Sequence, residues 1–254
     1  MDEAIRVEDS GAVRTITLNR PAKKNAITLA MYAALNAALT EAATDDRTSV
    51  VLLGAVGDAF SAGNDIGDFL RASTGGLAES SSARSSGTFL QTIASFPKPM
   101  VAAVNGLAIG IGATMLLHCD LVIASSAATF QFPFTSLALV PEAGSSVLLA
   151  ARVGLQRATE WLLLGERIDA ETALHAGFVN AVVPPEALAS AAATRVQALT
   201  RLPLGALRET KRLIREPLRA AVADAMAREL QAFASRLTSP EAAAAFSGFL
   251  ARGK

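Results

Sequence analysis

Residues Pro99 to Gly144 read PMVAAVNGLAIGIGATMLLHCDLVIASSAATFQFPFTSLALVPEAG, a glycine-loop-helix unit followed by an acidic residue, Glu142, flanked by apolar sequence. The apolar run Met100 to Val104 closes at Asn105-Gly106, which predicts a strand ending in a turn. Gly110 and Gly112 then permit close backbone approach before an apolar helical stretch, Ala113 to Leu117. The first N–H groups of such a helix have no intrahelical partner and point outward, toward an anion or an oxygen that becomes anionic during a reaction.

Upstream, a second segment repeats the pattern. The short aliphatic run Val50 to Leu53 leads through Gly54 and Gly57 into Asp58-Ala-Phe-Ser-Ala-Gly-Asn-Asp-Ile66, where small residues again precede a predicted helix. Two such loops can be ordinary strand-to-helix turns, or they can each supply one N–H to a single oxygen. Glu142 also has two readings. Following Pro141, it is either a first-turn acid favoured by a helix dipole or a general base whose pKa is raised by apolar surroundings.

Outward from these loops, Ile5 to Glu8 and Val13 to Leu18 alternate around Ser10-Gly11 as a hairpin, and Pro21 to Asn25 is a basic loop. Thr28 caps a helix to about Ala43, with Leu29, Tyr32, Leu35, Ala38 and Leu39 on its apolar face. Strands and helices alternate from there, which makes the fold class α/β. Ser73 to Ser86 is rich in Ser, Gly, Ala and Thr and reads as a loop with a helix beginning near its end, either a lid over a bound ligand or a surface loop. Beyond Pro184-Pro185 the sequence is helical, broken by Pro203, Pro217 and Pro240, which sets a boundary near 195 between residues 1–195 and a helical module at 196–254. Residues 201–236 carry eight basic and four acidic side chains. They suit ligand phosphates, a subunit interface or simply the solvated face of amphipathic helices.

With 254 residues, 51% of them hydrophobic, the chain can bury a sizeable core. Zero formal net charge provides no general attraction to nucleic acid or acidic membrane. No apolar stretch reaches the ~20 residues of a membrane span, and the start of the sequence lacks a secretory signal, so a cytoplasmic location is expected. The single Cys119 reads as a buried thiol in a reducing compartment. His118 and His175 stand outside any metal-ligand spacing and read as core or helix-end residues, so no metal is expected. A dinucleotide fingerprint, a phosphate loop and a serine-nucleophile elbow are all missing from the sequence, which implies neither redox cofactor nor nucleotide.

Phe60-Ser-Ala-Gly-Asn-Asp-Ile66, Ala103-Val-Asn-Gly-Leu-Ala-Ile-Gly-Ile-Gly112, Cys119-Asp120 and Ala173-Leu-His-Ala-Gly-Phe-Val179 resemble, in order and spacing, the successive signatures of the crotonase (enoyl-CoA hydratase/isomerase) superfamily. Phe130 to Ser136 and Pro141 to Ser146 look most like its peroxisomal-type Δ3,Δ2-enoyl-CoA isomerases. That resemblance implies a spiral of ββα repeats followed by a C-terminal helical trimerisation module, assembled as a homotrimer or hexamer. It implies an acyl-CoA thioester substrate and no cofactor beyond the CoA that the substrate carries. By resemblance the catalytic base is Glu142, and the oxyanion donors are the backbone N–H groups of Asn64 and Ile111. Lys24, Asn25 and Ala26 correspond to positions near the pantetheine and phosphates, and Ala62, Asp65 and Ile66 to the adenine and thioester side, with Gly110 and Phe134 also lining substrate. Arg20, Lys23 and Lys24 form a phosphate-facing cluster, or else are solubilising loop charges.

The two glutamates of the family's hydratases fall at Thr114 and Phe134, which cannot exchange protons at neutral pH. Hydration needs a water activated on one side and a proton delivered on the other, whereas moving a double bond needs one carboxylate. The resemblance therefore implies an isomerase. A hydratase or another acyl-CoA reaction of the family is the alternative, and a non-catalytic CoA- or RNA-binding member ranks last because the helix from Thr28 to Ala43 holds no lysine or arginine.

Overall fold

A computed structural model describes residues 4–67 and 82–252. The expected hairpin forms from β1 (Ile5–Ser10) and β2 (Val13–Leu18), turning at Gly11 with a positive φ of 57°. Helix α1 (Leu29–Thr44) starts where Thr28 accepts a hydrogen bond from the Met31 N–H at 3.2 Å. Replacing Thr28 with Ala should therefore lower unfolding stability by about 1 kcal/mol in a denaturant titration; unchanged stability would mean that water satisfies this helix end equally well.

The chain then alternates between two sheets. Strands β3 (Val50–Ala55), β5 (Met100–Val104), β7 (Leu121–Ser125) and β10 (Ala181–Val183) join the hairpin in a six-stranded sheet ordered β1-β2-β3-β5-β7-β10, parallel after the first pair. Their sequence neighbours β4 (Ala59–Ser61), β6 (Leu107–Ile109) and β8 (Thr129–Gln131) run parallel in a second sheet, closed by the antiparallel β9 (Ile168–Asp169). Each turn thus places one strand in each sheet, the ββα spiral that the motifs imply. Between these strands run α2 (Ser82–Ala94), the short α3 (Ile111–Thr114) continued by a 3-10 turn to His118, α4 (Ser145–Val153), α5 (Leu155–Leu164) and α6 (Ala170–His175). The helix expected near the end of Ser73–Ser86 begins at Ser82. The rest of that segment, and with it the lid expectation, lies outside the described residues.

Both faces of the large sheet are buried, as a parallel sheet requires. Val51, Leu53, Met100, Ala102 and Val122 face the main core, while Val50, Val101 and Ile123 face Leu188 and Val196 of α7 (Leu188–Thr200). Residue 195 lies inside this helix, and the chain leaves it only after Thr200. Two helices follow, α8 (Leu204–Leu237) and α9 (Pro240–Arg252).

Pro217 does not break α8, contrary to the sequence expectation. It lies on an exposed face, as does Leu213, whose carbonyl loses its intrahelical donor there, so water can replace the missing N–H. Five of the eight basic residues of 201–236 fall into two groups. Arg212, Arg219 and Arg228 pair with Glu209, Glu216 and Asp224 on the solvated face. Lys211 and Arg215 instead anchor α8 to the core, donating to Asp120 Oδ2 at 2.7 Å and Oδ1 at 2.8 Å. No helix among the described residues is long and apolar enough to cross a membrane.

Candidate active site

The loops after β2 and β4 are zipped together by backbone bonds. The Ala62 N–H donates to Lys24 O, the Ile27 N–H to Gly63 O and the Asp65 N–H to Ile27 O. In this parallel bridge Ile27 uses the groups on either side of Asn64, so the Asn64 N–H points the other way, free of the bridge. Lys24–Ala26 and Ala62–Asp65 are thus neighbours.

Not all of their side chains are available to a ligand. Asn25 is fully buried, its amide donating to Val56 O and Ala59 O while its Oδ1 accepts from the Arg20 N–H. That side chain builds the loop rather than contacting substrate. Arg20 is likewise not a free member of the expected phosphate-facing cluster, because it donates to Asp65 Oδ2 at 2.7 Å and to Ala26 O at 3.0 Å. Lys23 and Lys24 remain exposed.

Glycines bring the two candidate oxyanion loops into contact. A Cβ on Gly63 would stand 3.0 Å from Ile109 O, and one on Gly112 would stand 2.7 Å from Ser61 O. Gly110 opens α3 at φ 53° and ψ −122°, a conformation almost restricted to glycine. One turn along α3 from Ile111, the buried Thr114 hydroxyl donates to Glu142 Oε1. Tyr32 of α1 donates to Asn64 Oδ1 at 2.7 Å, and its hydroxyl is pushed well above its ordinary pKa by burial and by the charge of Glu142.

Glu142 and Asn64 share the wall of one cavity of about 1860 Å³ that runs beneath α8, together with Ile27, Tyr32 and Leu90. Among the other sequence-derived candidates, Ile111 and Phe134 are buried in the core, and Lys24, Asn25, Ala26, Ala62, Asp65, Ile66 and Gly110 lie outside this wall. Burial pushes the Glu142 carboxyl up to about 7, against the lowering bond from Thr114 and with a further rise from the charge of Glu229. Asp120, Glu209 and Glu216 in the same wall all pair with cations. Among the described residues Glu142 pairs with none.

The segment after Glu142 turns sharply, with Ala143 at φ 61° and Gly144 at φ 70° before α4 begins at Ser145. Glu142 therefore stands outside the first turn of α4, and the helix-dipole reading of this acid fails. His118 holds the turn from below, its Nε2–H donating to Ala143 O at 2.8 Å. Burial lowers this imidazole to about 4, so it stays neutral and takes no proton near pH 7. His175 ends α6, and Cys119 is buried with its thiol pushed up to about 12, as the core readings of these residues expected.

Sequence reasoning missed Tyr32 as a site residue, treating it only as core, and missed Glu229. The latter leaves one trace: Val222, Met226, Glu229 and Phe233 recur at helical spacing, so a single acid interrupts an apolar face.

This is an α/β enzyme fold in which two glycine-dependent loops converge beside one unpaired carboxylate. Residues 8–254 match the family described as enoyl-CoA hydratase/isomerase, and the chain belongs to it. It is 42% identical to enoyl-CoA delta isomerase 2 of Rattus norvegicus over 84% of this chain but only 55% of that protein's length. It is 32% identical to a probable enoyl-CoA hydratase of Rhizobium meliloti, covering 99% of this chain and 96% of that one. An enoyl-CoA hydratase/isomerase structure from Pseudoalteromonas atlantica superposes with a TM-score of 0.93 at 40% identity, covering 98% of each chain.

Proposed function

We propose that this protein moves the double bond of a 3-enoyl-CoA thioester into the 2-trans position. The observation that carries the reading is Glu142, paired with no cation among the described residues and raised to about 7, in the cavity wall shared with Asn64. A base poised near the working pH can both take and return a proton. Ionised Glu142 takes the proton from C2, and the electrons move onto the thioester oxygen as a dienolate. The N–H groups of Asn64 and Ile111 hold that oxygen, each worth roughly 2.7–4 kcal/mol of barrier. The protonated carboxyl then delivers the proton to C4, the double bond settles between C2 and C3, and Glu142 is ionised again. No cofactor enters beyond the CoA of the substrate.

Two further parts of the reading rest on the outer surface. Leu213, Ile214, Leu218 and Leu230 leave apolar surface exposed on α8, the last three at the cavity itself, which supports packing against further copies of the chain as a trimer or hexamer. Exposed Lys24 supports an electrostatic contact with the CoA phosphates.

Purified protein should convert 3-enoyl-CoA to 2-trans-enoyl-CoA and hydrate 2-enoyl-CoA slowly or not at all. Efficient hydration with negligible isomerisation would place the chain with the hydratases instead. In a calorimetric titration with a CoA thioester, Lys24→Ala should raise the dissociation constant while Glu142→Gln leaves it nearly unchanged. Loss of binding in Glu142→Gln would make that residue structural.

A further inference from the structure

The carboxylate of Glu229 reaches from α8 across the start of α4. Its Oε2 accepts from the Gly144 N–H at 2.6 Å, and its Oε1 accepts from the Ser146 N–H at 3.0 Å and from the Ser146 hydroxyl at 2.5 Å. The residue is only 8% exposed, so these three donors replace the water that a buried carboxylate would otherwise have to give up. Two of them, the Gly144 and Ser146 N–H groups, are orphan donors of a helix start, where negative charge is favoured. Gly144 leaves no room beneath α8, since a Cβ there would lie 3.1 Å from Val222 Cγ1 and 3.3 Å from Met226 Cγ.

We propose that Glu229 is a positioning residue for the base: through it α8 locks the left-handed Ala143–Gly144 turn and so fixes Glu142 against Thr114. The inference rests on Glu142 being the base. The turn is held at three points, from above by Glu229, from below by His118 and at the carboxyl by Thr114. Two of these are neutral groups. Only Glu229 adds charge, and only Glu229 belongs to the helical module, so docking of α8 and placement of the base are one event. An alanine at φ 61° carries backbone strain that persists only where its surroundings over-determine it, and Glu229 bonds Gly144 and Ser146 immediately after it.

The test is Glu229→Gln, with isomerase kinetics against pH and a melting curve. Glutamine keeps the size but turns one acceptor into a donor facing an N–H. Turnover should fall on the order of 10-fold to 100-fold, as expected for a sub-ångström to ångström displacement of the base, with KM nearly unchanged. The groups facing Glu142 are Thr114, Tyr32, which burial keeps protonated, and Glu229, while His118 behind the turn stays neutral. Removing the Glu229 charge removes a repulsion on ionised Glu142, so the pH midpoint of turnover should move lower. A purely structural role would lower the melting temperature and the fraction of active enzyme with no change of midpoint, and that result overturns the inference, as does a variant with wild-type turnover. Should Glu229→Gln not fold, Ser146→Ala decides: it deletes one bond and keeps the charge, so turnover per folded molecule should drop with KM and the melting temperature nearly unchanged, whereas undiminished turnover, or a loss matched by the fall in folded protein, refutes the assignment. Absence of isomerisation by the wild-type protein would instead strike the functional reading itself.

Discussion

Glu142→Gln should lower isomerase turnover by about 10² to 10⁴, the contribution of a positioned general base, while the protein remains folded. The amide keeps the size of the side chain and can still accept from Thr114, so the cavity wall survives. In the wild type, turnover should rise with pH through about 7 as Glu142 ionises. A second signature follows in stability. The folded carboxyl titrates near 7 against an ordinary 4.5, so its stabilising contribution is complete below about 4.5 and is lost as pH rises toward 7. That loss is on the order of 3 kcal/mol, from a shift between those two values at about 1.4 kcal/mol per unit. Glutamine does not titrate, so the variant should be more stable than the wild type at pH 8 and close to it at pH 4. Near wild-type turnover in a normally folded variant would put the base elsewhere. A stability difference independent of pH would mean that the carboxyl is solvated.

The α/β alternation and the two glycine loops were legible because they depend on residues whose conformational demands are local, whereas the ββα spiral followed only from the resemblance. Gly110 announces a backbone that few other residues adopt, and Thr28 marks a helix start by its own hydroxyl. Gly63 and Gly112 mark places where something must come close, although what comes close was not visible. Asn25 differs. The resemblance sets it near the ligand by position alone, and only the carbonyls of Val56 and Ala59, supplied by another loop, show that its side chain is internal structure. Pro217 was misread because helix breaking depends on whether water can reach the carbonyl left behind, which is a property of the helix's exposed side. Glu229 was beyond reach for a third reason. Its partners lie 85 and 83 residues earlier in the chain, and an acid on a charged helix carries no mark of a buried role except its place on an apolar face.

Gly112→Ala should be a damaging single-methyl change beside the site. The added Cβ would lie 2.7 Å from Ser61 O and 2.9 Å from Ser61 Cβ, distances at which one of the two backbones must move. Ser61 cannot yield freely, because it is fully buried, its hydroxyl donates to Asn25 O at 2.9 Å, and the Gly63 N–H donates back to that hydroxyl at 3.1 Å. Displacing it carries the Asn64 loop along; displacing α3 instead moves Ile111 and the Thr114 hydroxyl that holds Glu142. Either route separates the two donors or turns one away from the substrate oxygen. Turnover should fall by about 10² to 10³, the effect of losing one oxyanion donor, and overpacking should cost roughly 1–3 kcal/mol of stability. Gly248→Ala provides the control, since no atom lies within 4 Å of its added Cβ and its stability should be unchanged or slightly raised. CoA thioester binding measured by calorimetry separates the two effects in Gly112→Ala: a folded variant that binds ligand but turns it over slowly has lost the oxyanion geometry. One that binds and turns over like the wild type would show that the N–H groups of Asn64 and Ile111 do not act together on one oxygen.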